Sequence, residues 1–124
     1  MNQYKGEVTG KLGDKERTFR LTFESIVNIE NITGKSIIQL TTDMSGGKYS
    51  FKDLLTILHQ GLLGTKTNIL KEAVGDAMMQ SGLIKSSGLA GIVLASAFTG
   101  ETKEDDNPLV PAENTQNDTQ SKNT

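Results

Sequence analysis

The sequence predicts an α+β domain, mainly helical, with an N-terminal β-hairpin packed on four to five short helices. Three observations point there. Apolar residues alternate with a period of two as far as Phe23. From Thr22 they recur at helical spacing, interrupted by Gly-containing stops. At Glu101 the composition turns polar and stays polar to Thr124. Residues 1–100 are therefore assigned to the domain and residues 101–124 to a disordered, acidic segment. That segment has only Leu109, Val110 and Ala112 as apolar residues, with Pro108 and Pro111 beside them. Ordering a backbone costs about 1–2 kcal/mol per residue, which so little apolar surface cannot offset.

Tyr4, Gly6, Val8, Gly10 and Leu12 share one parity, and Lys5, Glu7, Thr9 and Lys11 the other. After the turn cluster Gly13-Asp14-Lys15, Phe19, Leu21 and Phe23 alternate with Thr18, Arg20 and Thr22. Two such runs around a short Gly/Asp turn read as a hairpin, and two registers fit. Thr22 is the expected N-cap of a first helix, with Glu24 in its first turn and Gly34 at its end. Phe23, Ile26, Val27 and Ile29–Ile32 supply its apolar side.

A short helix is expected from Ser36 to Met44, with Ile37, Ile38, Leu40 and Met44 inward and Ser45-Gly46-Gly47 as its breaker. Ser50-Phe51-Lys52-Asp53 has the form of a capping box. Phe51, Leu54, Leu55, Leu58 and Leu62 follow at helical spacing, and Gly61 and Gly64 close that helix. Thr67 or Asn68 caps the next, whose stripe is Ile69, Leu70, Ala73, Val74, Ala77 and Met78, stopped by Ser81-Gly82. The last helix is expected to start near Ser86 or Ser87 and to run to Phe98.

Composition excludes several chemistries. With no cysteine there are no disulfides, thiolate nucleophiles or Cys-based zinc sites, and one histidine makes no His-rich cluster. Residues 101–124 hold six acids and two lysines, which leaves +2 on the first hundred residues against −2 for the whole chain. The basic residues are scattered rather than gathered into a stripe, which argues against nucleic acid. The opening MNQYKGEV has no apolar signal core, and the most apolar stretch, Gly88 to Phe98, covers 11 residues. A membrane span needs about 20. The expectation is a soluble protein of the cytoplasm.

The motifs with chemical overtones reduce to plain readings. Thr33-Gly34-Lys35-Ser36 resembles the end of a phosphate loop, but Ile29 stands where its first glycine belongs, and a helix precedes it. It reads as a helix stop followed by an N-cap. His59 lies on a helix with no nucleophile motif to serve. Glu72 and Asp76 form an i,i+4 pair on a polar face, and Asp105-Asp106 falls in the polar segment. The sequon Asn31-Ile32-Thr33 carries no meaning without secretion. No catalytic residue, cofactor site or metal set is assigned, and no enzyme activity is expected.

The last helix is different, because it is apolar nearly all round. Leu89, Ile92 and Val93 form one face, and Ala90, Leu94 and Phe98 another. Gly88, Gly91 and Ala95 are small residues that let another helix come close. Such a helix is either buried or docked on a partner. Leu89, Ile92, Val93, Leu94 and Phe98 are the candidate partner-binding residues.

The order of Gly6-Glu7-Val8, RTFRLTF at 17–23, IVNIE at 26–30, Thr33-Gly34, Gly46-Gly47, SFKDLLTIL at 50–58 and Gly61-Leu62 resembles the small tail assembly chaperones of tailed bacteriophages, a group shared with gene transfer agents. The likeness is close over residues 5–64 and looser over 65–100; the polar 24-residue end departs from many relatives. The resemblance implies a non-enzymatic factor of the bacterial host cytoplasm that binds the tape measure protein. Such a factor aids assembly of the tail tube and is absent from the mature virion. The tail tube protein is a further partner, and homo-oligomerisation is left open. The alternatives are a structural virion component, such as a head–tail connector or tail terminator, and a small helical DNA-binding regulator.

Overall fold

β1 (Glu7–Leu12) and β2 (Lys15–Arg20) form an antiparallel hairpin. Five helices follow: α1 (Phe23–Thr33), α2 (Ile37–Gly46), α3 (Phe51–Leu63), α4 (Lys71–Ser81) and α5 (Leu83–Ser96). A computed structural model describes residues 6–99, which make one compact α+β unit, mainly helical. The expectations for Tyr4, Lys5 and residues 101–124 lie outside the described residues.

The hairpin register pairs Val8 with Phe19 and Leu12 with Lys15, leaving Gly13 and Asp14 as a two-residue turn. Gly13 takes φ +69, the left-handed conformation that such turns require and other residues resist. Its N–H donates to Ser81 Oγ (2.7 Å), so the turn is tied to the end of α4. Leu12 and Phe19 point into the core.

α3 is the central element. It contacts α1, β2, α4 and α5, and buries Leu54, Ile57, Leu58 and Leu62. Its start is the expected capping box: Asp53 N–H donates to Ser50 Oγ (3.0 Å), and Ser50 N–H donates to Asp53 Oδ2 (3.1 Å). Its end agrees with expectation at Gly64, the C-cap, and differs at Gly61. Gly61 lies inside the helix, where a Cβ would press on Phe19 at 3.1 Å. Gly64 is demanded by contact, since a Cβ there would sit 1.9 Å from the Arg20 carbonyl oxygen.

The other caps bear out the sequence reading in part. Thr22 and Ser36 accept from Ser25 and Gln39 N–H, and Gly34 (φ +72) closes α1, so Thr33-Gly34-Lys35-Ser36 is a stop and a cap. α4 begins at Lys71 with Leu70 at the cap position and no side-chain cap. The Thr67 hydroxyl is engaged with Thr65 Oγ1 (2.9 Å) in the preceding loop, so it does not serve α4. α5 begins at Leu83, earlier than Ser86 or Ser87, because Gly82 at φ +93 turns the chain sharply out of α4. Ser86 is instead buried and donates to the Met78 carbonyl (3.2 Å).

Several apolar-face expectations fail, among them Leu70, 73 % exposed, and Ala73 of the α4 stripe. Ile38 is 70 % exposed, since α2 turns Ile37 and Leu40 to the core and leaves the next position outside. Phe23 is exposed at the first position of α1, while Ile29 takes the core.

Candidate functional site: an apolar groove between α2 and α5

α5 is an apolar helix with two unlike faces. Ser86, Ala90, Val93 and Leu94 are buried. Val93 packs against the glycine gap at Gly61, so α5 and α3 lie close. Ile84, Gly88 and Ile92, spaced four apart, share the opposite face, and all are exposed. Ile84 is 88 % and Ile92 58 % exposed.

Between this helix and α2 runs a groove of about 500 Å³. Gly88, Gly91, Ile92 and Ala95 line it on the α5 side, and Met44 and Tyr49 on the other. No charged side chain lines it; its polar groups are hydroxyls such as Thr41, Ser45 and Ser87. A groove of this chemistry suits an uncharged, apolar guest. The small residues let a guest backbone approach closely, and Ile92 offers an exposed aliphatic edge.

The five candidate residues divide. Val93 and Leu94 belong to the core; Leu94 is only 1 % exposed, but it also lines the floor of the groove. Leu89 is half-buried and its Cδ1 lies over Gly10 of β1, where a Cβ would be only 2.6 Å away. It holds the hairpin to α5. Ile92 is at the groove, and Phe98, 55 % exposed, lies just past the end of α5. Ile84 and Tyr49 carry no role in the sequence reading, and Met44 figures there only as an inward residue of the short helix. The spacing 84/88/92 was visible, but Ile84 lay before the expected helix start.

Polar chemistry near the groove is structural. The Lys35 ammonium bridges Asp43 Oδ2 of α2 (3.0 Å) and Asp53 Oδ2 of α3 (2.9 Å). Hydrogen bonding to Asp53 and then Asp43 holds the Lys35 pKa above its ordinary value. Hydrogen bonds from Lys35 and then Gln39 hold the Asp43 carboxyl below the usual range. His59 Nε2 makes a hydrogen bond of 3.0 Å with the Ile69 carbonyl, which joins α3 to the approach to α4. Among the described residues no three His, Asp or Glu side chains gather as a metal site, and no helix is long and apolar enough to cross a membrane.

A family model described as "Phage tail tube protein, GTA-gp10" matches residues 5–100. That is well over half of the chain, which therefore belongs to this phage and gene-transfer-agent tail family. No curated protein and no solved structure matches.

Proposed function

We propose that this member of a phage tail family is a tail assembly chaperone, a non-enzymatic protein that binds the tape measure protein and aids assembly of the tail tube. The observation that carries the reading is the uncharged groove between α2 and α5, edged by Ile92 and floored by small residues. A tape measure chain is long, helical and apolar along one side, and such stripes aggregate when exposed. An amphipathic helix laid in a groove is a standard way of covering them. Repeated weak contacts along a long client add up by avidity, yet release one at a time as tube subunits replace them. The protein would act in the host cytoplasm and be missing from finished particles.

The test is co-expression with a fragment of the tape measure protein from the same phage or gene transfer agent. The wild-type chain should keep the fragment soluble and co-purify with it, and Ile92→Asp should lose both effects while remaining folded. A fragment that is equally soluble without this chain overturns the reading.

A second reading is favoured by the family description, which names a tail tube protein. On that reading the chain is a structural part of the tail and stays in it. Mass spectrometry of purified particles separates the two: a chaperone is absent, and a tube component is present in many copies.

A further inference from the structure

We propose that the last turn of α2 is a gate over the groove: Met44 is its plug, Gly46-Gly47 its joint, and the Lys35–Asp43 ion pair its latch. The inference rests on the groove reading above and adds how the groove is opened.

The plug is visible at Gly91. A Cβ built there would meet the Met44 methyl at 3.8 Å, so the end of the methionine side chain reaches over Gly91 of α5. Methionine is unbranched, with a soft thioether and three rotatable bonds. It fills an irregular gap and vacates it at little steric cost. Once it has moved, the notch at Gly91 is open to an apolar side chain of a guest helix.

The joint follows directly. Gly47 caps α2 at φ +71. A Cβ on Gly46 or Gly47 would meet nothing within 4 Å, so both glycines face open space at the bend. The contrast is with Gly64, which is wedged against the Arg20 backbone. The first half of α2 is anchored by Ile37 and Leu40, both buried. Movement is therefore confined to the second half.

The latch sits where the anchored half ends. Asp43 is the last buried residue of α2. The Lys35 ammonium ties it to Asp53 of α3, the central helix of the fold. Gln39 also donates to Asp43 Oδ1 (2.8 Å), but from within α2, so it cannot hold the helix to the body. A closed plug covers part of the apolar groove while no client is present, which limits self-association through it.

The experiment is hydrogen exchange on the full chain without client. Asp43→Asn removes the latch charge with little change of shape. Amides of residues 41–49 should then exchange about tenfold faster relative to those of residues 51–63. Gly46→Ala stiffens the joint and should slow exchange over 44–49 alone. If Asp43→Asn changes both segments equally, or changes neither, or if Gly46→Ala leaves 44–49 as it was, there is no gate.

Binding kinetics with the tape measure fragment separate this proposal from the one beneath it. Met44→Ala should raise the association rate severalfold. A fragment that binds the wild type but gains nothing from Met44→Ala overturns the gate and leaves the chaperone reading standing. With the exchange results as expected and no fragment binding at all, the gate stands and the tape measure reading fails.

Discussion

Two positions on α5, only two residues apart, separate its inner face from its outer one. Leu94 is 1 % exposed within the central cluster. Leu→Ala in such a place costs about 2–5 kcal/mol, the lost transfer energy plus the cavity. In a domain of this size each kcal/mol moves Tm by about 4–8 °C, so Leu94→Ala should melt at least about 8 °C lower. Ile92 is 58 % exposed. Burying a whole isoleucine side chain contributes about 1.5–3 kcal/mol, and less than half of this one is covered, so its removal costs about 1 kcal/mol. Ile92→Asp should therefore melt within about 8 °C of the wild type and still lose the tape measure fragment. Circular dichroism melts and co-purification read the two effects. If Ile92→Asp melts as low as Leu94→Ala, the outer face is core and the groove reading is wrong. If it stays folded and holds the fragment as well as the wild type, the client lies elsewhere.

Gly64→Ala should destabilise by at least about 2 kcal/mol in urea titration, because the new Cβ, fixed on its Cα, would collide with the backbone carbonyl of Arg20. Gly75→Ala should do the opposite, adding about 0.5–1 kcal/mol. Gly75 lies inside α4, and its nearest obstacle is a Leu55 methyl at an ordinary 3.9 Å. Ser50→Ala should cost about 1 kcal/mol, since it removes the acceptor for Asp53 N–H from the capping box. The latch has a pH window with a sign at each end. Asp43 has a lowered pKa, so its contribution is present above about pH 4 and is lost as pH falls through the lower folded value. Lys35 has a raised pKa, so its contribution is present below about pH 10 and is lost as pH rises through the higher folded value. Urea midpoints for the wild type should therefore fall more steeply on acidification below pH 4 than those of Asp43→Asn.

Local rules carried much of the fold. Period-two alternation placed β1 and β2, and Thr22, Gly34, Ser36 and Ser50 marked helix ends by side-chain and backbone chemistry that acts within a few residues. Where local signals are weak, sequence and structure part. Thr67 looked like a cap but is engaged with Thr65 in a loop, and Gly82 turned α5 out earlier than the serines suggested. The candidate site was legible as a helix but not as a face. α5 has apolar residues on every side, so periodicity could not say which would be buried.

The residue pattern alone determined that this chain has a hairpin, a capped central helix and a late helix too greasy to be surrounded by water, because those properties depend on neighbours in sequence. Only the tertiary structure decided that Val93 faces α3 and Leu94 is buried while Ile92 faces outward. Only it set Met44 across Gly91 and joined Lys35 to two helices at once. Those are choices among nearly equivalent helix faces, and they are settled by how the packed elements fit together, not by the preference of any one of them.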